Sequence, residues 1–190
     1  MTIIKAANCH SKIYLGIDPA KEGAAIALCD GNVIAAFLWK KAKKAKKNVY
    51  NLQYYNVQNS TKTMIIVPRL SSIGDYISKN ITGPICLSLE DAYFKPNPKV
   101  TISVSKTAGL IASPIEINHN VDSHWTRASD WRHKVLGLNP FTKRKEAKFH
   151  SLRMMPKLIP NLNIVLHKLG TYDHITDAAG VAYWAYKKSL

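Results

Sequence analysis

The sequence predicts an α/β domain built on a mixed sheet with helices on its faces. Three observations lead there. Three apolar runs, at residues 13–17, 23–29 and 32–39, follow one another with only tight turns between them, the pattern of an antiparallel meander. Leu70, Ile73, Ile77 and Ile81 then recur at helical spacing. From that point strand-like and helix-like segments alternate, which places helices on both sides of a sheet that has become parallel.

Each element has its own signal. The first strand, 13–17, ends in Asp18-Pro19, and the second, 23–29, in Asp30-Gly31. Asp-Gly is a strong hairpin signal because a type I′ turn needs positive φ at both positions. The third strand, 32–39, runs into six lysines in eight residues, 40–47. Residues 48–57 read as an extra strand or a lengthened hairpin, and polar 58–62 as a loop. The helix at 70–81 is stopped by Gly83-Pro84, and a buried strand at 85–89 ends in Glu90-Asp91. After the Pro96-Asn97-Pro98 break, 101–112 reads as a helix and 115–117 as another strand. Residues 129–138 show no clear pattern. A basic helix covers 142–158 up to about Pro156. The last helix, 172–188, carries Ile175, Ala178, Ala179, Ala182 and Tyr186 on one stripe. A chain of 190 residues without internal repeats is expected to be one domain over 1–190.

Composition narrows the function. Hydrophobic residues at 46% and aromatics at 9% exclude a disordered chain. The balance of 27 Lys plus Arg against 12 Asp plus Glu, a formal +15, points to a polyanionic partner, nucleic acid above all. No stretch of about 18 uninterrupted apolar residues is present, so no membrane-spanning helix and no membrane partner are expected. Residues 1–12 lack the apolar core and small-residue cleavage site of a secretory signal. Cys9, Cys29 and Cys86 are an odd set without CxxC spacing. Neither a zinc site nor a disulfide framework is expected from them, and a reducing, cytoplasmic setting follows.

In so basic a chain, carboxylates at strand ends need explaining. Asp18 ends a central strand and Glu90 a second buried one. His174 and Asp177 are three apart at the start of the last helix and share a face. Asp173 beside them suits the helix N-cap. Strand ends and a helix terminus can converge three or four hard ligands, which suits Mg²⁺ or Mn²⁺. Two such ions can activate a water and stabilise the leaving oxygen of a phosphodiester. Taken singly, each residue also has a bland reading: Asp18 as a turn starter, Glu90 as a solvated strand end, His174 as an ordinary histidine.

In this order the residues resemble the RuvC family of Holliday-junction resolvases, which have the ribonuclease H-like fold. Tyr14-Leu-Gly-Ile-Asp18-Pro-Ala-Lys-Glu-Gly23 with Ala24 to Ala27 is similar to the family's first hairpin and its catalytic Asp. Leu87-Ser-Leu-Glu90-Asp91 resembles the strand with the catalytic Glu, Lys106-Thr-Ala-Gly-Leu-Ile-Ala112 the helix after it, and His174-Ile-Thr-Asp177-Ala the final helix motif. Trp131-Arg-His-Lys-Val-Leu-Gly137 and Lys143-Arg-Lys145 resemble the segment with the family's basic residues.

The resemblance spans residues 13–182. It implies a five-stranded mixed sheet, a meander followed by parallel strands, with the lysine-rich stretch around 40–62 as an insertion. It further implies an Mg²⁺-dependent endonuclease, two ions to a site with Mn²⁺ able to substitute, held by Asp18, Glu90, His174 and Asp177. Four-way and other branched DNA would be the substrate. Paired nicks in opposed strands call for two sites, so a homodimer is expected, with the helix at 101–112, apolar on one side and rich in small residues, as part of its interface. Arg132 and Lys143 fall on the family's basic positions, with Lys134, Lys145 and Lys148 competing for them. Lys106, Lys43 and Lys44 add to the nucleic-acid contacts. Tyr93 or Phe94 takes the place of the family's junction-entering aromatic. The insertion marks a divergent member, of the kind a phage or mobile element carries, which would then act in the host cytoplasm. Two other readings stay open: another nuclease of this fold, acting on branched DNA or an RNA:DNA hybrid, and a non-catalytic nucleic-acid-binding protein. A sugar-kinase or actin-like ATPase reading of Gly16-Ile-Asp18 fails for want of a second Asp-Gly-Gly phosphate loop.

Overall fold

The computed structural model describes residues 6–42, 49–91 and 98–190, the last with side chains from 101 onward. In chain order its elements are β1 (Ala7–Asn8), β2 (Ile13–Asp18), β3 (Gly23–Cys29), β4 (Asn32–Lys41), β5 (Tyr50–Asn56), β6 (Thr61–Val67), α1 (Leu70–Lys79), β7 (Ile81–Thr82), β8 (Ile85–Glu90), α2 (Pro98–His119), β9 (Ser123–Thr126), α3 (Ala128–Leu136), α4 (Arg144–Leu158), α5 (Leu162–Leu169) and α6 (Asp173–Lys188). The expected α/β class is what forms. One sheet runs in the order β6-β5-β4-β3-β2-β8-β9, and β1 pairs separately with β7. Neighbours from β2 out to β6 are antiparallel, while β8 lies parallel to β2 and β9 parallel to β8. The two-residue turn between β3 and β4 has positive φ at both Asp30 and Gly31, as Asp-Gly predicts.

Three expectations change. The sheet has seven strands rather than five, because β5 and β6 form a hairpin on its outer edge. β6 overlaps the expected loop at 58–62; its solvent-facing Met64 and Ile66 are as apolar as its inward-facing Ile65 and Val67, so no polar alternation marks it. Residues 115–117 are not a strand. They lie inside α2, whose buried Ala108, Ile111, Ala112 and Ile115 follow helical spacing straight past Pro114. Burying that stripe outweighs the donor that an interior proline removes. The parallel edge strand is β9 instead. Pro156 likewise lies within α4, residues 129–138 are mostly α3, and α5 is an additional helix.

Period-two alternation sends side chains of each central strand to two separate cores. Ile13, Leu15 and Ile17 of β2, with Leu87 and Leu89 of β8, pack under α1 and α2. Tyr14, Ala24, Ile26 and Leu38 pack under α3 to α6. Asp18 and Glu90 have the parity of the second set, so they emerge on the α6 face.

Gly16 sets the distance on that face. A Cβ there would lie 2.3 Å from both the Ala178 oxygen and the Ala182 nitrogen. Its absence lets α6 rest directly on β2, and the small residues Ala178, Ala179 and Ala182 complete the contact. This approach brings the first turn of α6 to the end of β2.

The cysteine expectation is corrected as well. Cys9 and Cys29 form a disulfide, with Cα atoms 6.1 Å apart, and Cys86 alone is free. The bridge joins the segment after β1 to the end of β3. Pairing of β1 with β7 places Cys9 there, a long-range effect that cysteine spacing does not encode.

Candidate active site

β2 and β8 are parallel, with Ile17 opposite Leu89, so Asp18 and Glu90 leave the sheet at the same end. Ligand sites of open α/β sheets lie beyond the carboxyl ends of their parallel strands. α6 starts above this point. Asp18, Glu90, His174 and Asp177 all line one cleft of about 750 Å³. The structure thus brings together the four residues singled out in the sequence.

Each is fixed by a specific partner. His174 Nδ1 donates to Asp18 Oδ2 at 2.5 Å. The indole Nε1 of Trp131 donates to Glu90 Oε2 at 3.0 Å. Arg132 Nη2 donates to Asp177 Oδ1 at 2.8 Å. Trp131 is fully buried, and a Cβ on Gly180 would meet its ring at 2.3 Å, so a glycine of α6 makes room for the side chain that holds Glu90. Each contact uses one oxygen of its carboxylate.

The electrostatics are those of crowded acids. Burial, reinforced by the charges of Asp18 and Asp177, pushes the Glu90 carboxyl up to about 8. Burial also lifts Asp177 to about 6, against the pull of Arg132. His174 is raised by its hydrogen bond to Asp18, which outweighs its burial. Burial would lower Arg132, but Asp177 and Glu90 together hold it raised. A floor that disfavours its own ionised carboxylates has the charge pattern a divalent cation would relieve.

Three of the four donors are hard carboxylates, which suit Mg²⁺ or Mn²⁺, and the imidazole of His174 is a borderline donor beside them. Two buried polar atoms beside it also lack partners: Arg132 Nε and Oγ1 of Thr126, the residue opposite Glu90 on β9. Such orphans call for water or a ligand. Among the described residues, no three of these donors lie within 4.8 Å of one another; the group that does is Cys9, Cys29 and Asp30 at the far end of β2 and β3. The floor donors are therefore spread wider than that distance.

The basic candidates divide. Arg132 and Lys148 line the cleft, but both are engaged with acids, Arg132 with Asp177 and Lys148 with Asp173. The lysine pair outweighs burial and lowers Asp173. Asp173 is the first residue of α6 rather than its cap; Tyr172 occupies the N-cap position. Lys134, Lys143 and Lys145 are exposed on α3 and at the start of α4. Lys106 lies elsewhere, in a groove between α1 and α2 with Ser71 and Asp75. Lys40 sits over the Tyr172 ring, its Nζ 3.4 Å from the centroid. Lys43, Lys44, Tyr93 and Phe94 fall outside the described residues.

Sequence reasoning missed Trp131 as the partner of Glu90, and Arg127, Arg144 and Phe141 as lining residues. Arg127 directly follows β9, so recognising that strand would have placed it beside Glu90. No protein-family model matches the chain, and no curated protein matches it.

Proposed function

We propose that this chain is a divalent-metal-dependent, structure-specific endonuclease of the ribonuclease H-like, RuvC type, which resolves four-way DNA junctions. The observation that carries the reading is the convergence of Asp18, Glu90, His174 and Asp177 on one cleft in so basic a chain. The run β4-β3-β2-β8-β9, antiparallel and then parallel, supports the fold that the sequence resemblance implies.

Asp18, Glu90 and Asp177 would hold the Mg²⁺ ions, since all three carboxylates line the same cleft. His174, tied to Asp18 through Nδ1, would present its other ring nitrogen to an ion or to the attacking water. Bound there, the ions supply positive charge that lowers the pKa of a water and stabilises the leaving oxygen. Hydrolysis forms a new phosphorus–oxygen bond from water and breaks the bond to the 3′ oxygen, which takes a proton. The products are a 3′-hydroxyl and a 5′-phosphate. Arg132 pairs with Asp177 through Nη2, and its Nε, which has no partner, would donate to a phosphate oxygen in the cleft. Trp131 orients Glu90. The exposed Lys134, Lys143 and Lys145 would hold the backbone without reading bases, while Lys148 is held by Asp173.

Two opposed nicks need two sites, and an isologous dimer supplies them. The outer side of α2, where Ile102, Leu110 and Ile117 are exposed, supports it as part of that interface. The test is a cleavage panel of four-way junction, flap, duplex and RNA:DNA hybrid with Mg²⁺ or EDTA, using wild type and Asp18→Asn. Metal-dependent paired nicking of the junction, lost in Asp18→Asn while junction binding persists, supports the reading. Preferential cutting of the hybrid, or undiminished cutting by Asp18→Asn, contradicts it.

A further inference from the structure

Phe141 is 92% exposed, more than any other large hydrophobic residue among those described, and it lines the cleft that holds Asp18 and Glu90. Its position is built rather than incidental. Gly137, with φ 68°, ends α3 in the left-handed conformation that suits glycine. Asn139 Oδ1 then accepts the Phe141 N–H at 2.9 Å, and the Asn139 carbonyl accepts the Thr142 N–H at 2.9 Å. Pro140 restricts φ just before the ring. A closed turn thus presents an aromatic face to solvent at the mouth of an acidic cleft. Lys143, Arg144 and Lys145 follow at once in the chain.

A water-exposed aromatic ring gains by being covered, and the adjoining cations select a covering group that comes with phosphates. Nucleobases on a phosphate backbone meet both demands, since every base has a face that stacks on a ring. In continuous duplex those faces are already stacked. At a branch point the flanking bases can be reached.

We propose that Phe141 is a stacking platform for an unstacked nucleobase at the branch point, and that it helps this chain prefer branched over continuous DNA. This rests on the nuclease reading above and deepens it.

The experiment measures binding in Ca²⁺ and single-turnover cleavage in Mg²⁺ for wild type and for Phe141→Ala, Phe141→Leu and Phe141→Trp. The probes are a four-way junction, the same junction with abasic sites replacing the branch-flanking nucleotides one at a time, and the matching duplex. Phe141→Ala should weaken junction binding about tenfold to a hundredfold, the size of one base–aromatic stack, and leave duplex affinity and the melting temperature unchanged. Phe141→Trp should restore binding, and Phe141→Leu should not. One abasic position should cost wild type the same factor and cost Phe141→Ala nothing further. Junction binding by Phe141→Ala equal to wild type, equal losses on duplex, or full rescue by Leu would each overturn the platform. If wild type binds and cuts the junction while Phe141→Ala does the same, only the platform falls. If wild type neither binds nor cuts it, the nuclease reading falls too.

Discussion

Asp18, Glu90 and Asp177 at the floor of the cleft are carried on strand ends and on a helix pressed against the sheet. Phe141 and Arg144 at its mouth, with Lys143 and Lys145 beside them, ride on a turn and a helix surface in water. On the floor, every polar contact is single and directional: one imidazole for Asp18, one indole for Glu90, one guanidinium for Asp177. At the mouth, the cations are exposed and interchangeable. Function on the floor should therefore fail with one substitution, whereas function at the mouth should erode in increments.

Among residues that are not themselves candidate ligands, the largest effect is expected at Gly16. Gly16→Ala places a methyl 2.3 Å from backbone atoms of α6. Helix or strand must move, at a cost of about 1–3 kcal/mol, and misplacing His174 and Asp177 by an ångström should cut cleavage by on the order of a hundredfold. Thermal melting and single-turnover rates check the two parts. Wild-type cleavage by Gly16→Ala would show that the approach of α6 to β2 does not set the floor.

Trp131→Phe keeps an aromatic ring beside Gly180 and removes the donor to Glu90. The loss should be about tenfold to a hundredfold in apparent Mg²⁺ affinity, as for other side chains that orient a ligand. It should be read from cleavage against Mg²⁺ concentration. Lost cleavage with unchanged Mg²⁺ dependence would assign Trp131 to packing alone.

A third test concerns pH. Glu90 and Asp177 have folded pKa values raised above those of the unfolded chain, to about 8 and about 6. The native protein then binds more protons than the unfolded chain between roughly pH 4 and 8, so stability falls as pH rises through that window. His174, also raised, acts in the same direction near its upper part. Melting temperature in EDTA should therefore decline from pH 5 to 8. Glu90→Gln should flatten the decline, and Mg²⁺ should oppose it. A melting temperature in EDTA that rises with pH would contradict the account of crowded acids.

The smallest effects belong to the mouth. Changing Lys134, Lys143 and Lys145 to Gln one at a time should reduce the log–log salt slope of junction binding by about 0.9 each. The cleavage position should stay the same. A single lysine whose loss abolished cleavage would move it from mouth to floor.

Much of the floor was legible because it lies where local patterns are strong. The runs at 13–17 and 85–89 are short, apolar and bounded by Asp18-Pro19 and Glu90-Asp91, so both carboxylates could be put at strand ends. His174 and Asp177 share a face by helix geometry alone. What escaped depends on distant partners. The bond from Trp131 to Glu90 joins residues 41 apart, and that from Arg132 to Asp177 joins residues 45 apart. Sequence alone assigned Arg132 to phosphate and gave no hint that an acid holds it. β6 escaped because its solvent-facing Met64 and Ile66 are as apolar as its core-facing Ile65 and Val67 and hide the alternation, and 115–117 misled because three alternating residues fit either period. The Cys9–Cys29 bridge depends on β1 pairing with β7.

The central claim is that the floor acids are assembled to hold divalent metal. Mn²⁺ binding, counted by electron paramagnetic resonance at pH 7.5 on the full chain, tests it most directly. Wild type should bind up to two ions competed by Mg²⁺, and Asp18→Asn, folded by its melting curve, should lose them. Equal Mn²⁺ binding by wild type and Asp18→Asn would contradict the account, as would a folded wild type that binds none.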